Sequence, residues 1–197
     1  MSEPQETLGP IKLAPGVSRR HVFVYLFAAF ISIGMFTYLI ALTPYVLRVN
    51  LGLSEEELGR ATANLQFWQE IMLLAVIGFW GALSDRIGRR KVYIYGFALL
   101  AVAYAAYGFA NSILVLTLVR FIFAMGVAAT TMSLAAVIAD YTDENSRAKL
   151  SGVAFFLNGL GSVMFFVGLT QLPDLFVAQG ANELWAGRFA YLVAASI

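Results

Sequence analysis

The sequence predicts an all-α fold, a polytopic bundle of transmembrane helices. Of its 197 residues, 60% are hydrophobic and only 13% are charged, and its mean hydropathy is +0.76. Soluble domains typically contain about 25% charged residues. The apolar residues also come in long runs separated by short polar segments. This is more apolar surface than one soluble core could bury, so the chain belongs in a bilayer.

Six apolar runs predict six helices. The first follows Arg19 and Arg20, and it is too long for the core of a signal peptide. Ser54 and Glu57 resemble a capping box that opens the second. The sixth is roughly 21 Å long, against about 30 Å of hydrocarbon, and is cut short. We therefore expect a fragment, part of a longer product, or a half whose remainder is a separate polypeptide. The predicted spans are about 21–47, 58–83, 92–110, 113–139, 150–172 and 184–197.

The polar segment before the first helix, residues 1–20, is rich in proline and contains Pro4, Pro10 and Pro15. This composition predicts a cytoplasmic tail without a fixed fold. His21, the only histidine, sits at a membrane edge and is expected to be an interfacial side chain rather than a catalytic one.

Several function classes are disfavoured by what the sequence lacks. It has no cysteine, which excludes disulfides and thiolate metal sites. A formal charge of +1 gives no reason to expect a nucleic-acid partner. No phosphate-cradling loop of the Walker type is present, so ATP is not expected as the direct energy source. We expect neither an enzyme nor a bound cofactor or metal.

The distribution of Lys and Arg predicts the orientation. Nine lie on the side that holds the N-terminus, and three lie on the opposite side. Cytoplasmic loops carry the excess of positive residues, so the N-terminus is expected in the cytoplasm, with the protein in a bacterial inner membrane. The two sets are Lys12, Arg19, Arg20, Arg86, Arg89, Arg90, Lys91, Arg147 and Lys149 against Arg48, Arg60 and Arg188.

The stretch GALSDRIGRRK, residues 81–91, is a dense charged loop between the second and third predicted helices. Such a short reversal favours glycine, supplied by Gly81 and Gly88, and Gly81 could also let another backbone approach. Topology anchoring would explain the cations. It would not explain Asp85, which lies between the two glycines at fixed offsets. That carboxylate could satisfy free amides at a helix N-terminus.

This loop resembles the signature loop of the major facilitator superfamily, Gly-x-Leu-x-Asp-Arg-x-Gly-Arg-Arg/Lys, and lies where the family places it. RFIFAMGVAA, from residue 120, is similar to the family's fourth-helix motif, although Ala124 stands where that motif usually has glycine. DYTDENSRAK resembles the acid-then-basic pattern that follows the fourth helix. The resemblance covers roughly residues 20–197 and implies the N-terminal six-helix half of a two-half transporter.

The resemblance implies a conformational latch at the cytoplasmic face. Asp85 would face a helix of the second half, and Arg89 would pair with Asp140 at the end of the fourth helix. Such contacts bias an equilibrium between outward-facing and inward-facing states rather than bind a substrate. The candidate latch residues are Gly81, Asp85, Arg86, Gly88, Arg89, Asp140 and Arg147.

Two charges lie deep in the apolar runs. Arg120 is about 11 Å into the fourth helix, and Glu70 is near the middle of the second. A charge at this depth should face a cavity or a partner, so the two are candidates for a direct or water-bridged pair. The alternatives are a snorkelling Arg120 and a hydrogen-bonded structural Glu70. The remaining cavity candidates are Gln66, Asn158 and Tyr38.

Two functions remain open. The first is a secondary active transporter that moves a small solute by alternating access, coupled to protons, with a second six-helix half as partner. The second is a structural or assembly subunit of a larger membrane complex, without transport. A facilitator without ion coupling is a weaker third possibility.

Overall fold

A computed structural model describes residues 6–197 and confirms the all-α fold. Seven α-helices follow a two-stranded β-hairpin. A single 3₁₀ turn, Glu144–Ser146, precedes the fifth helix. The elements are β1 (Thr7–Leu8), β2 (Ile11–Lys12), α1 (Arg19–Val49), α2 (Glu55–Ile87), α3 (Arg89–Tyr107), α4 (Ile113–Tyr141), α5 (Arg147–Leu169), α6 (Leu172–Ala178) and α7 (Glu183–Ala195).

The long helices correspond to the apolar runs. Within the described chain, four segments are long and apolar enough to cross a bilayer: Arg19–Val49, Glu55–Ile87, Ile113–Tyr141 and Glu144–Ala178. The sequence predicted six spans. The other two runs form α3, which begins with three cations, and α7, which has 13 residues. Within the predicted fifth span, α5 ends at Leu169, and Pro173 lies in the first turn of α6, where proline is tolerated.

Local capping accounts for several helix ends. The Ser54 amide donates to the Glu57 carboxylate at 3.0 Å, as the predicted capping box at the start of α2 requires. At the start of α1 the Ser18 amide donates to Nδ1 of His21 at 3.1 Å, so this histidine helps to cap the helix. Gly88, with φ of 92°, makes the turn between α2 and α3, a backbone conformation that only glycine adopts without strain.

Helix α4 lies at the centre of the bundle. It packs along both α2 and α3, while α1 packs along α5. A Cβ at Gly126 of α4 would lie only 2.9 Å from the carbonyl oxygen of Gly96, so the α3–α4 contact brings the two backbones together. Small residues at membrane helix contacts allow this close approach.

Helices α2 and α5 leave large apolar side chains uncovered. Leu74 on α2 is 67% exposed, and Phe155 on α5 is 81% exposed. In a soluble protein such faces would indicate a missing partner. In a membrane protein they meet either lipid or another helical domain.

Residues 6–17, which precede α1, are folded, contrary to the expectation of a disordered tail. Residues 1–5, including Pro4, lie outside the described residues. We call residues 6–17 the N-terminal strap. Within it Ile11 is 4% exposed and Leu13 is fully buried, against a cluster that includes Val22 and Leu150. The physical reason is that Ile11 and Leu13 are two positions apart in extended backbone, so their side chains point to the same face and are buried together.

We call the end of the bundle that holds the strap, the α2–α3 turn and the α4–α5 connection the basic end. It is the end that carries the nine Lys and Arg residues named above.

The α1–α5 contact yields a test. A Cβ at Gly161 would clash with the carbonyl oxygen of Phe30 on α1, whereas a Cβ at Gly159 would meet nothing within 4 Å. Gly161→Ala should lower the free energy of unfolding by about 1–3 kcal/mol, the usual range for overpacking. Gly159→Ala, two residues away, should be neutral or stabilise the helix by up to about 1 kcal/mol. Unfolding in mixed detergent micelles, followed by circular dichroism, measures both. Equal effects would contradict the proposed close approach.

Candidate functional site

Arg120 is the most deeply buried charge in the described part of the chain. Its exposed fraction is 0%, and it is among the largest fully buried side chains. A snorkelling arginine would extend its guanidinium to the interface. The structure instead turns the side chain of Arg120 into the bundle.

All four hydrogen-bond partners of the guanidinium are neutral. Nε donates to the hydroxyl of Tyr107 at 3.1 Å, and Nη2 donates to the hydroxyl of Thr43 at 2.6 Å. Nη1 donates to the side-chain oxygens of Gln66 and Gln69, both at 2.9 Å. Four of the five N–H groups of Arg120 are therefore bonded, without a carboxylate in direct contact.

The hydrogen-bond directions around Arg120 follow from its partners. Thr43 donates its hydroxyl proton to the carbonyl of Leu39 at 2.8 Å, so its oxygen acts as an acceptor toward Arg120. Tyr107 accepts from Arg120 and is 3.0 Å from Thr43, to which it donates. These groups, with Gln66 and Gln69, form what we call the arginine cage. They come from α1, α2 and α3, so one side chain of α4 ties four helices together.

Glu70 is connected to Arg120 through an amide rather than directly. Gln66 accepts from Arg120 with its oxygen and donates with Nε2 to the Glu70 carboxylate at 2.8 Å. The predicted direct or water-bridged pair is thus replaced by a bridge through the Gln66 side chain. Glu70 itself lies on the exposed side of α2. A chain of hydrogen bonds therefore runs from the buried cation to an acid on the surface of the bundle.

Sequence reasoning identified only part of the cage. Gln66 was a cavity candidate, and Gln69 lies three residues further along α2 on the same face. Thr43 and Tyr107 were not singled out. A helix that is apolar on all faces gives no signal of which side its hydroxyl groups will face.

Tyr38 and Asn158 make packing and helix–helix contacts. Tyr38 is fully buried and stacks on Tyr104, with ring centroids 6.2 Å apart. The Asn158 amide, oriented to satisfy its neighbours, donates to the carbonyl oxygens of Ala154 at 3.3 Å and Ala29 at 3.1 Å. The first residue fills the core, and the second joins α5 to α1.

At the basic end, Arg89 and Asp140 form the ion pair that the resemblance implied. Nε of Arg89 is 2.9 Å from Oδ2 of Asp140, and the two side chains are 33% and 48% exposed. Partly exposed pairs of this kind contribute about 0.2–1 kcal/mol, so the contact can form and break within a conformational cycle. The pair lies on the wall of a cavity of about 770 Å³ between α1, α3 and α4.

The other candidate latch residues remain separate from this pair. Asp85, Arg86 and Arg147 are exposed, and none makes an ion pair within the part of the chain that the structure describes. Asp85 does not cap α3, whose first residue follows Gly88 without a side-chain cap. Nothing lies within 4 Å of a Cβ built on Gly81, so the expected close backbone approach is absent among residues 6–197. The same residues contain no group of three His, Asp or Glu side chains that could hold a metal ion.

Comparison with known proteins adds a family and several relatives. The model of the Major Facilitator Superfamily matches residues 24–193. Magnetosome protein MamH of Paramagnetospirillum magneticum (strain AMB-1) is 29% identical over 163 residues, which cover 79% of this chain and 38% of that protein. Magnetosome protein MamZ of Magnetospirillum gryphiswaldense is 28% identical over 145 residues, or 68% of this chain and 22% of that protein. The chain thus spans less than two fifths of the length of these relatives.

The arginine cage predicts that lysine cannot replace Arg120. A lysine ammonium has three donors at one point and cannot reach acceptors that surround a planar fork. Arg120→Lys should therefore lower the free energy of unfolding by about 3 kcal/mol, since several acceptors lose a charged donor. Arg48→Lys, on an exposed side chain of α1, is the control and should change it by less than about 0.5 kcal/mol. A similar stability for both variants in detergent unfolding would contradict the cage.

Proposed function

Since the chain belongs to the major facilitator superfamily, we propose that it forms one half of a secondary active transporter that moves a small solute by alternating access, coupled to protons. The observation that carries this proposal is the hydrogen-bond chain from buried Arg120 through Gln66 to Glu70. It combines a fixed positive charge with an accessible acid, which are the two elements that a proton-coupled site needs.

The surroundings of Glu70 support a second six-helix half. Along α2 its neighbours Phe67, Ile71 and Leu74 are 58%, 45% and 67% exposed. An ionised carboxylate in lipid is costly, and acids within membrane helices usually face the bundle interior or a water-filled cavity. We therefore expect this face of α2 to border an aqueous pathway closed on its far side by the second half.

The charges suggest how protons and solute could be coupled. When Glu70 is ionised, it lies one amide away from Arg120 and partly offsets the charge of the guanidinium. When Glu70 takes up a proton, that positive charge is left without a nearby anion. Because charge interactions are strong in a low-dielectric site, the protonated state would then attract an anionic group of a solute. This order of events corresponds to symport.

The ion pair at the basic end supports a latch that controls access. Arg89 and Asp140 are in contact between α3 and α4. In the latch that the family resemblance implies, with this end on the cytoplasmic side as the distribution of Lys and Arg predicts, an intact pair corresponds to the outward-facing state. Asp85 is exposed at the same end of the bundle and would contact the second half there. We propose an inner or other bacterial membrane as the location, and the names of the relatives suggest a magnetosome protein.

The alternative is a structural or assembly subunit of a membrane complex that does not transport. One observation favours it: four donors of Arg120 are satisfied by side chains of the bundle itself, as in a purely structural tie. Under this reading Glu70 is only a hydrogen-bonded surface acid of α2.

Glu70→Gln separates the two functions. In proteoliposomes that contain the complete membrane protein, the variant should lose proton-driven solute uptake, because the amide cannot take up a proton. It should retain exchange of internal for external solute, which needs no net proton movement. Glu56→Gln, an exposed acid before the apolar part of α2, is the matched control and should leave both activities unchanged. Normal proton-driven uptake in Glu70→Gln would remove Glu70 from the mechanism, and absence of both activities in the parent would favour the subunit.

Asp85→Lys tests the latch. Reversing this charge should repel the cations of the basic end and shift the population toward the inward-facing state. Because the chain has no cysteine, a single introduced cysteine in the pathway can report the shift through its alkylation rate from each side of the membrane. Glu144→Lys, an equal charge reversal at an exposed position on the same side, is the control. An unchanged ratio of the two rates in Asp85→Lys would leave Asp85 with topology anchoring only.

A further inference from the structure

The strap is bonded to the segment that directly follows the latch acid. The amide of Ala14 donates to the carbonyl of Tyr141 at 2.9 Å, and the amide of Asp143 donates to the carbonyl of Lys12 at 3.3 Å. Between these two bonds, Leu13 and Thr142 form an antiparallel bridge. The strap therefore pairs with residues 141–143, which begin one residue after Asp140.

Further contacts fix the strap on both sides of this pairing. The amide of Lys12 donates to the hydroxyl of Ser146 at 2.9 Å, and Nζ of Lys149 donates to the carbonyl of Pro10 at 3.1 Å. On the other side, Nε of Arg19 donates to the carbonyl of Thr7 at 2.8 Å. The strap thus connects the first turn of α1 to the connection between α4 and α5.

The end of α4 depends on these bonds, because it has little capping of its own. The last turn contains no basic residue, and the residue after Tyr141 is an extended threonine rather than a glycine. The hydroxyl of Thr142 satisfies the carbonyl of Ile138 at 2.8 Å. The carbonyl of Tyr141 is satisfied by Ala14 of the strap. A helix whose last carbonyl groups lack hydrogen-bond donors frays over its final turn. In α4 that turn carries Asp140.

We infer that the strap is a positioning element of the latch: it caps the last turn of α4 and so holds Asp140 within reach of Arg89. Release of the strap frees this turn, weakens the ion pair and favours opening of the basic end. The residues that do this are Leu13, whose fully buried side chain anchors the strap, and Ala14, whose amide makes the cap. The inference rests on the latch of the proposed function, and the experiment below tests the two separately.

The first measurement addresses the cap. Leu13→Asp places a carboxylate in the apolar cluster and should release the strap. Amide hydrogen exchange in residues 138–146 of the complete protein in lipid nanodiscs should then be about tenfold faster. Thr7→Asp adds the same charge at an exposed position of the strap and should leave the exchange unchanged. If Leu13→Asp does not fold, Leu13→Ala removes most of the anchor without adding a charge.

The second measurement addresses the latch. Spin labels on cysteines introduced at the exposed positions Arg90 and Ala139 report the distance between the ends of α3 and α4 at the basic end. Asp140→Ala breaks the ion pair directly and should broaden this distance distribution. Leu13→Asp should broaden it in the same way. Combining Leu13→Asp with Asp140→Ala should add nothing, because both act through one contact.

Each outcome decides a specific claim. Unchanged exchange in Leu13→Asp overturns the cap. Faster exchange with an unchanged distance distribution, while Asp140→Ala broadens it, overturns the positioning role and leaves the latch intact. No broadening in Asp140→Ala overturns the latch of the proposed function, and the positioning role with it. Additive broadening in the double variant would show that the strap acts on α4 by another route.

Discussion

The structure of this helical bundle depends on one constraint: a permanently charged guanidinium buried among apolar helices must find hydrogen-bond acceptors. Arginine does not lose its proton in proteins, so Arg120 cannot escape the cost of burial by becoming neutral. The bundle meets this requirement with two hydroxyl groups and two amides from three other helices. Any movement of α1, α2 or α3 relative to α4 in this region would break a bond to the cation. The region of the cage is therefore the rigid part of the bundle, and changes of shape have to occur elsewhere.

The basic end has the opposite character. Its central contact is a partly exposed ion pair, and its helix end is held by residues 12–14 of the N-terminal strap. Interactions of this kind are individually weak, and local openings draw on the least stable parts of a fold. Under the proposed transport function, one half moves against the other, and this movement needs a rigid region, the cage, and a weak contact, the latch. The exposed apolar faces of α2 and α5 would then be the surfaces across which the movement takes place.

The sequence predicted the features that depend on a residue type that is costly in a membrane. It did not predict the features that depend on the direction of a side chain. The burial of Arg120 and the glycine at the α2–α3 turn follow from residue type and spacing, whereas the Arg89–Asp140 pair was implied by the family resemblance. The partners of Arg120 on α1 and α3 do not, because these helices are apolar around their whole circumference and their rotation is set by packing. The packing of Tyr38 against Tyr104 could not be predicted for the same reason. The strap was missed because four of its 12 residues are proline or glycine, although the apolar residues at Ile11 and Leu13, two positions apart, were a usable signal of a strand.

The arginine cage also has a consequence for biosynthesis. Thr43, Gln66, Gln69 and Tyr107 all precede Arg120 in the chain. Membrane proteins are made from the N-terminus, so every acceptor has left the ribosome before the cation that needs it. Helix α4 can therefore enter the bilayer beside helices that already carry its hydrogen-bond partners. If Arg120 preceded these residues in the chain, its charge would enter the bilayer before its hydrogen-bond acceptors. The position of this residue in the fourth helix, rather than the first, makes the burial of its charge compatible with the order of synthesis.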